Sequence, residues 1–140
     1  MKALSLREPW ASLIARGHKT IEGRTWKHPY RGPVLICASK TLDADDRATV
    51  AHFQERFPDI PAKMPLGMAL CVADLVDCRN ARPGDEIAAQ WEQPVSEVCE
   101  NYYSWCFVNV RPIDPFPVKG TLGLFEVEYE LPPTKTAPAA

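Results

Sequence analysis

The sequence has no hydrophobic run long enough to cross a membrane and no paired-cysteine motif. Its longest apolar stretch, residues 67–78, falls short of the ~18 residues that a membrane-spanning helix needs. The cysteines are odd in number and none stand at C-x-x-C spacing, so neither a disulfide framework nor a zinc ribbon is indicated. The histidines, His18, His28 and His52, are too scattered for a metal site, and we predict none.

The common motifs for cofactors and activated nucleophiles are also missing. The chain contains no G-x-x-x-x-G-K, no G-x-G-x-x-G, no H-E-x-x-H and no G-x-S-x-G. We therefore expect no cofactor. The N-terminal residues 1–7 reach charged side chains too early for a signal peptide, which makes a cytoplasmic protein the expectation.

The charge is unevenly distributed along the chain. Residues 1–31 hold seven basic and two acidic side chains, a net charge of +5, whereas the remainder holds nine basic and sixteen acidic ones, a net charge of −7. A basic segment on an acidic chain indicates an anionic ligand such as nucleic acid. A solvated basic surface is the alternative that charge alone does not exclude.

The pattern of apolar residues predicts one small α+β domain over residues 1–131. Because 140 residues can bury roughly 68% of their unfolded surface, no metal or disulfide is needed for a core. Short strands are predicted at residues 2–6, 20–26, 34–38, 67–78, 102–110 and 122–130, with helices at 9–16, 41–57 and 86–91. The proline-rich stretch 111–121 is interpreted as a loop, and 132–140 as a disordered tail. Strands and helices do not alternate strictly, which favours a small, partly closed barrel with two or three flanking helices over a doubly wound sheet.

Three charged residues follow the first predicted helix within six positions. In the segment 17–24, strand alternation places Glu22 and Arg24 on one face, close to Lys19. A lysine acts as a nucleophile or base only when burial or a neighbouring cation lowers its pKa. The alternative is structural: Lys19 complements the negative end of the helix, and Glu22 forms an ordinary ion pair with Arg24.

Aromatic side chains accompany the basic ones. Such rings can stack on nucleic-acid bases, and the set comprises Trp10, Trp26, Tyr30, Tyr102, Tyr103 and Trp105. Trp10 lies on the apolar face of the first helix, so core packing is its alternative role. For Trp26, beside Lys27 and His28, both roles remain open.

Several segments, in order, resemble one family. The opening L-S-L-R-E-P-W-A at 4–11, the G-H-K-T-I-E-G-R segment at 17–24, residues 31–40, Trp105 and the closing residues 117–124 resemble the ASCH domain family, part of the PUA-like superfamily. The similarity extends from residue 2 to about residue 127. Only residues 79–101 do not align.

The resemblance implies a PUA-like β-barrel whose cleft binds RNA or a modified nucleoside. Some relatives are amidohydrolases that remove the acetyl group of N4-acetylcytidine with a lysine, the residue three positions later and a distant glutamate. These map to Lys19, Glu22 and one of three candidates, Glu92, Glu97 or Glu100, although those hydrolases carry threonine at the position of Glu22.

Three functions therefore remain open: an amidohydrolase, a ribonuclease that uses Lys19 with a tyrosine, and a non-catalytic RNA-binding module. We predict Lys19 and Glu22 as the catalytic residues. The predicted substrate-binding residues are Arg7, Trp10, Arg24, Trp26, Ser39, Trp105 and Lys119.

Overall fold

Six strands and three helices make up residues 1–132, the part of the chain that the computed structural model describes. The strands are β1 (Lys2–Leu6), β2 (Ile21–Arg24), β3 (Gly32–Ala38), β4 (Met68–Asn80), β5 (Tyr103–Pro117) and β6 (Leu124–Glu126). The helices are α1 (Trp10–Ala15), α2 (Ala44–Arg56) and α3 (Asp85–Ala89). Apart from Pro132, the predicted disordered tail over 132–140 lies outside the described residues.

The strands form one sheet in the order β2-β5-β4-β3-β1-β6. β1 and β3 run parallel, and every other neighbouring pair is antiparallel. The sheet curls into half a barrel and is accompanied by three helices in the described part of the chain. The predicted α+β class and partly closed barrel are therefore confirmed. None of the helices within residues 1–132 is long and apolar enough to cross a membrane.

Both faces of the central strands are apolar, as the composition of residues 67–78 predicts. On one face, side chains such as Leu4, Ile36 and Trp105 form the main core, against which α1 packs. On the other, a smaller cluster includes Leu35 and Val72. A third cluster joins α1 to α2 and the loop that follows α2; its buried members are Leu13, Val50, Phe53, Ile60 and Met64. This last cluster fixes α1 beside the sheet.

The second helix begins at Ala44, three residues later than predicted, with Asp43 as its N-cap. The Asp43 carboxylate accepts a hydrogen bond from the Asp46 backbone N–H at 2.8 Å, and the Asp46 carboxylate accepts one from the Asp43 N–H at 3.1 Å. This reciprocal capping satisfies backbone donors that the first turn leaves free. The helix ends at Arg56, two residues before Pro58.

All three prolines of the predicted loop belong to a strand. β5 continues through Pro112 and Pro115 to Pro117, so the prediction of a loop over 111–121 is wrong for residues 111–117. β2 pairs with β5 only over residues 103–106, so one edge of β5 is unpaired beyond that point. A proline, which has no backbone N–H, costs no strand-pairing hydrogen bond on that edge. On the other edge, where β5 pairs with β4, register shifts between the two strands accommodate the prolines. The last strand is shorter than predicted, at 124–126.

Candidate active site

A cavity of about 950 Å³ opens beside the C-terminal ends of the parallel strands β1 and β3. Its wall is built from five parts of the chain: the end of β1 with the start of α1, the segment 19–24, residues 38–41, the aromatic pair Trp91 and Tyr102, and the β5–β6 loop over 118–123. Five basic side chains and one carboxylate line it, although the whole chain carries a net charge of −2. The wall thus favours a ligand with negative charge or strong hydrogen-bond acceptors.

Lys19 lies at the bottom of this wall and is almost completely buried, with 1% of its surface exposed. The chain reverses at Gly17, whose φ of +80° lies in the left-handed region that favours glycine, and then turns inward. The Lys19 ammonium donates a hydrogen bond to the Ala89 carbonyl at 2.6 Å and stands 3.4 Å from a Glu22 carboxylate oxygen. It also lies 4.8 Å from the centre of the Trp10 ring.

Burial lowers the pKa of Lys19 below its usual range, because removal from water disfavours the ammonium form. The Glu22 carboxylate acts in the opposite direction and raises the pKa, while the positive charge of Arg24 lowers it again. The amine of Lys19 is therefore closer to its neutral, reactive form than that of a lysine on the surface.

Glu22 links Lys19 to Arg24. Its second carboxylate oxygen lies 3.3 Å from Nη2 of Arg24, and the same guanidinium nitrogen donates to the Ser5 carbonyl at 3.2 Å. The Arg24 Nε–H is buried and has no acceptor within residues 1–132. The three side chains line one cavity, as strand alternation predicts for Glu22 and Arg24. The Arg24 guanidinium is therefore not fully hydrogen-bonded within the described part of the chain.

An aromatic pair stands over Gly23, between Glu22 and Arg24 in β2. Trp91 and Tyr102 are tilted against each other with ring centres 5.6 Å apart. A side-chain carbon on Gly23 would lie 2.6 Å from the Trp91 ring and closer still to the Tyr102 hydroxyl, so only glycine leaves room for both rings. Burial raises the pKa of Tyr102, and the Glu22 charge raises it further, which keeps the phenol protonated. The pair offers a base or other flat ring a stacking surface.

Sequence reasoning did not select Trp91 as a site residue. It lies in the stretch 79–101, which the resemblance leaves unaligned, and it was not in the aromatic set. The one available signal was a tryptophan in an otherwise polar segment. Tyr102 was in that set but not among the predicted binding residues.

The other predicted residues of the wall lie nearer its rim. Arg7 is exposed and pairs with Asp43 at 2.8 Å and Asp46 at 3.2 Å, so much of its charge is neutralised. Lys119, on the β5–β6 loop, is exposed and forms no ion pair with any residue that the structure describes. The Ser39 hydroxyl accepts a hydrogen bond from the Thr41 backbone. Trp10 is half-buried between the cavity and Phe53.

Two predicted binding residues do not belong to the wall. Trp105 is completely buried, and its indole N–H donates to the Trp26 carbonyl at 3.0 Å. The two rings meet edge to face with centres 4.6 Å apart, within the main core. Trp105 therefore has a packing role, because its ring is buried and its N–H is hydrogen-bonded. Trp26 is partly buried and packs against the same core.

None of the proposed distant glutamates reaches the cavity. Glu92, Glu97 and Glu100 are all exposed, and none of them lines the wall. Among the described residues, Glu22 is the only carboxylate there. Glu22 is therefore the carboxylate that the cavity wall places beside Lys19.

The model of the ASCH domain family matches residues 4–117. Activating signal cointegrator 1 of Homo sapiens is 28% identical over 137 residues, which cover 91% of this chain but 22% of that protein; the Mus musculus protein gives the same figures. The chain thus spans about a fifth of the length of these relatives.

Solved structures show the same fold. The crystal structure of ASCH from Zymomonas mobilis has a TM-score of 0.57 at 16% identity, covering 91% of this chain and 87% of that one. A single-residue mutant of that protein gives 0.54 at 13% identity, with 91% and 89% covered. At such identities the likeness concerns the fold alone, but the family model covers most of the chain. This chain therefore belongs to the ASCH domain family.

Proposed function

We propose that this chain binds RNA or a modified nucleoside in the cavity and hydrolyses an acyl amide there, as in the removal of the acetyl group from N4-acetylcytidine. One observation carries the proposal. A nearly buried lysine, Lys19, faces a carboxylate, Glu22, at 3.4 Å in the wall of an open cavity that Arg24 also lines. Ordinary surface ion pairs are solvated on all sides, whereas this one adjoins a space that a substrate can fill.

The cavity suits a nucleoside in two respects. Trp91 and Tyr102 present aromatic surface on which a base can stack, a contact worth about 1–3 kcal/mol. Lys40 and Lys119, both exposed at the rim, are placed to contact the phosphates of a strand on either side of that base. Because the chain spans about a fifth of the length of its curated relatives, the proposal rests on these local features.

The chemistry uses one water molecule. When substrate excludes solvent, a proton moves from the Lys19 ammonium to Glu22, which turns the ion pair into a neutral pair. The free amine of Lys19 removes a proton from water as the water oxygen adds to the acetyl carbonyl carbon. Arg24, which lines the cavity, donates to the oxyanion that forms. The C–N bond then breaks, the departing amine takes the proton back from Lys19, and acetic acid leaves.

A binding module without catalysis is the second candidate. The hydrogen bond from the Lys19 ammonium to the Ala89 carbonyl, at 2.6 Å, stabilises the charged form and favours this alternative. In that case the cavity recognises RNA through the same stacking surface and basic rim. The ribonuclease hypothesis is a further outcome of the test.

The test compares acetate release from N4-acetylcytidine by the wild type, Lys19→Ala and Lys63→Ala. Lys63 is an exposed lysine outside the cavity and serves as the matched control. We expect Lys19→Ala to lose about 10²–10⁴ of the rate and Lys63→Ala to keep it. Because Lys19 is buried, its removal should also lower the melting temperature, so the rates are compared at a temperature at which thermal melts show all three proteins folded. Equal rates in all three proteins would remove Lys19 from the mechanism. No release by any of them, with RNA bound intact, would support the binding module, and cleaved RNA the ribonuclease.

A further inference from the structure

The segment after β4 holds the chain around Lys19 by three consecutive residues. The Ala88 carbonyl accepts a hydrogen bond from the Thr20 backbone N–H at 2.9 Å, and the Ala89 carbonyl accepts one from the Lys19 ammonium at 2.6 Å. The Gln90 side-chain amide then donates to the His18 carbonyl at 2.8 Å. Residues 88–90 thus hold residues 18–20 through one hydrogen bond each, and the carbonyl of the last residue of α3 accepts the one from the ammonium.

A buried carboxylate fixes the other end of α3. Asp85, 5% exposed, accepts two hydrogen bonds from the Arg79 guanidinium, at 2.7 and 2.9 Å. It also accepts one from the Ser104 hydroxyl at 2.7 Å and one from the Arg82 backbone at 3.1 Å. Arg79 and Ser104 belong to β4 and β5, so Asp85 ties this five-residue helix to two central strands. A helix this short has little stability of its own.

We propose that Asp85 is the positioning residue for Lys19: by fixing α3 to the sheet, it holds the Ala89 carbonyl against the lysine ammonium and keeps that lysine out of water. Asp85 acts on Lys19 indirectly, through α3. Its hydrogen bonds with Arg79, Ser104 and Arg82 fix one end of the helix, and Lys19 binds at the other end. Only the expected change in turnover rests on the proposed function.

The groups around Lys19 determine the expected direction. From β2 it faces Glu22 and Arg24, from α1 the uncharged Trp10, and from α3 the Ala89 carbonyl alone; Tyr102, near Glu22, stays protonated. Loosening α3 removes one acceptor, which lowers the lysine pKa, and admits water, which raises it. Burial is the largest influence on this lysine, so the second effect prevails and the pKa of Lys19 rises.

The experiment follows the side-chain resonances of Lys19 by NMR through a pH titration of the full chain, with assignment by Lys19→Arg. The variants are Asp85→Asn, the milder Ser104→Ala, and Asp74→Asn as the matched control. Asp74 also binds an arginine through both oxygens, Arg111 at 2.7 and 3.1 Å, but does not touch α3. We expect the lysine pKa to rise in Asp85→Asn, to rise less in Ser104→Ala and to stay unchanged in Asp74→Asn.

A second readout is turnover of N4-acetylcytidine. Displacement of a catalytic group by about 1 Å costs up to ~10²-fold, so we expect Asp85→Asn to lose roughly 10- to 100-fold. Folded Asp85→Asn and Ser104→Ala proteins with the wild-type lysine titration would overturn the proposal; if Asp85→Asn does not fold, Ser104→Ala decides alone. A shifted titration in a chain without hydrolase activity would uphold this inference and reject the proposed hydrolysis.

Discussion

Two buried polar clusters lie at opposite ends of α3, one around Asp85 and one around Lys19. They differ in how fully their groups are hydrogen-bonded. Around Asp85, four donors from Arg79, Arg82 and Ser104 meet one carboxylate. In the Lys19 cluster, one carboxylate serves two cations, and the Arg24 Nε–H has no acceptor in the described part of the chain. The first cluster is closed and contributes to stability. The second lines a cavity, and one of its donors has no partner among the described residues.

The pKa values differ in the same sense. Burial would raise the pKa of Asp85, but hydrogen bonds from Arg79, Ser104 and the Arg82 backbone outweigh it and lower the pKa to about 2. The protein therefore stabilises the charged form of Asp85. Burial instead lowers the pKa of Lys19 and destabilises its charged form. A group whose charged state is destabilised beside a cavity is the better candidate for chemistry.

The largest effect is expected from Glu22→Gln. The change removes the only carboxylate of the described cavity wall and leaves Lys19 without its proton acceptor. Hydrolysis of N4-acetylcytidine should fall about 10²–10⁴-fold, as measured by acetate release. Asp74→Asn, which removes a paired carboxylate outside the cavity, should retain the wild-type rate. Wild-type turnover in Glu22→Gln would mean that the open cluster is merely structural.

A smaller effect is expected on the stability of the protein in acid, through Asp85 in the closed cluster. Because the folded-state pKa of Asp85 lies below its ordinary value of 3.8, its contribution to stability is full above about pH 4 and is lost as the pH falls through about 2. The shift corresponds to about 2 kcal/mol. Urea unfolding of Asp85→Asn between pH 7 and pH 2 should show a free energy of unfolding that falls by about that much less than in the wild type. Parallel pH profiles would contradict the closed-cluster assignment.

The smallest effect is expected at the cavity rim. Lys119→Ala removes one exposed cation, so affinity for single-stranded RNA should fall only a few-fold. The dependence of log affinity on log salt should lose about 0.7 in slope if that lysine contacts one phosphate. Fluorescence anisotropy at several salt concentrations measures both, with Lys63→Ala as the control. A slope that is flat in the wild type would favour an uncharged nucleoside as the ligand.

Local patterns predicted the parts of the site that are close in sequence. Lys19, Glu22 and Arg24 lie within six residues, and alternation in an extended strand is enough to place the last two on one face. Contacts between side chains far apart in the sequence are harder to predict. The indole of Trp105 resembles a stacking residue by composition, and only the tertiary structure shows it buried under Trp26.

The stretch 79–101 carried the least local signal and holds the contacts that sequence reasoning missed. A short helix near residues 86–91 was predicted, but nothing in the pattern indicates that its Ala89 carbonyl binds the Lys19 ammonium seventy residues away. A backbone carbonyl has no sequence signature. The same holds for Gly23, whose missing side chain makes room for Trp91 and Tyr102 only once the fold brings them together.

The most direct test of the difference between the clusters is an NMR titration that observes the arginine Nε–H groups as N4-acetylcytidine, or a short RNA containing it, is added. Arg24 and Arg111 both have a buried Nε–H without an acceptor in the described residues, but only Arg24 lines the proposed site. With assignments from Arg24→Lys and Arg111→Lys, we expect the Arg24 signal to move with saturation and the Arg111 and Arg79 signals to stay in place. Binding that leaves the Arg24 signal unmoved would contradict the account.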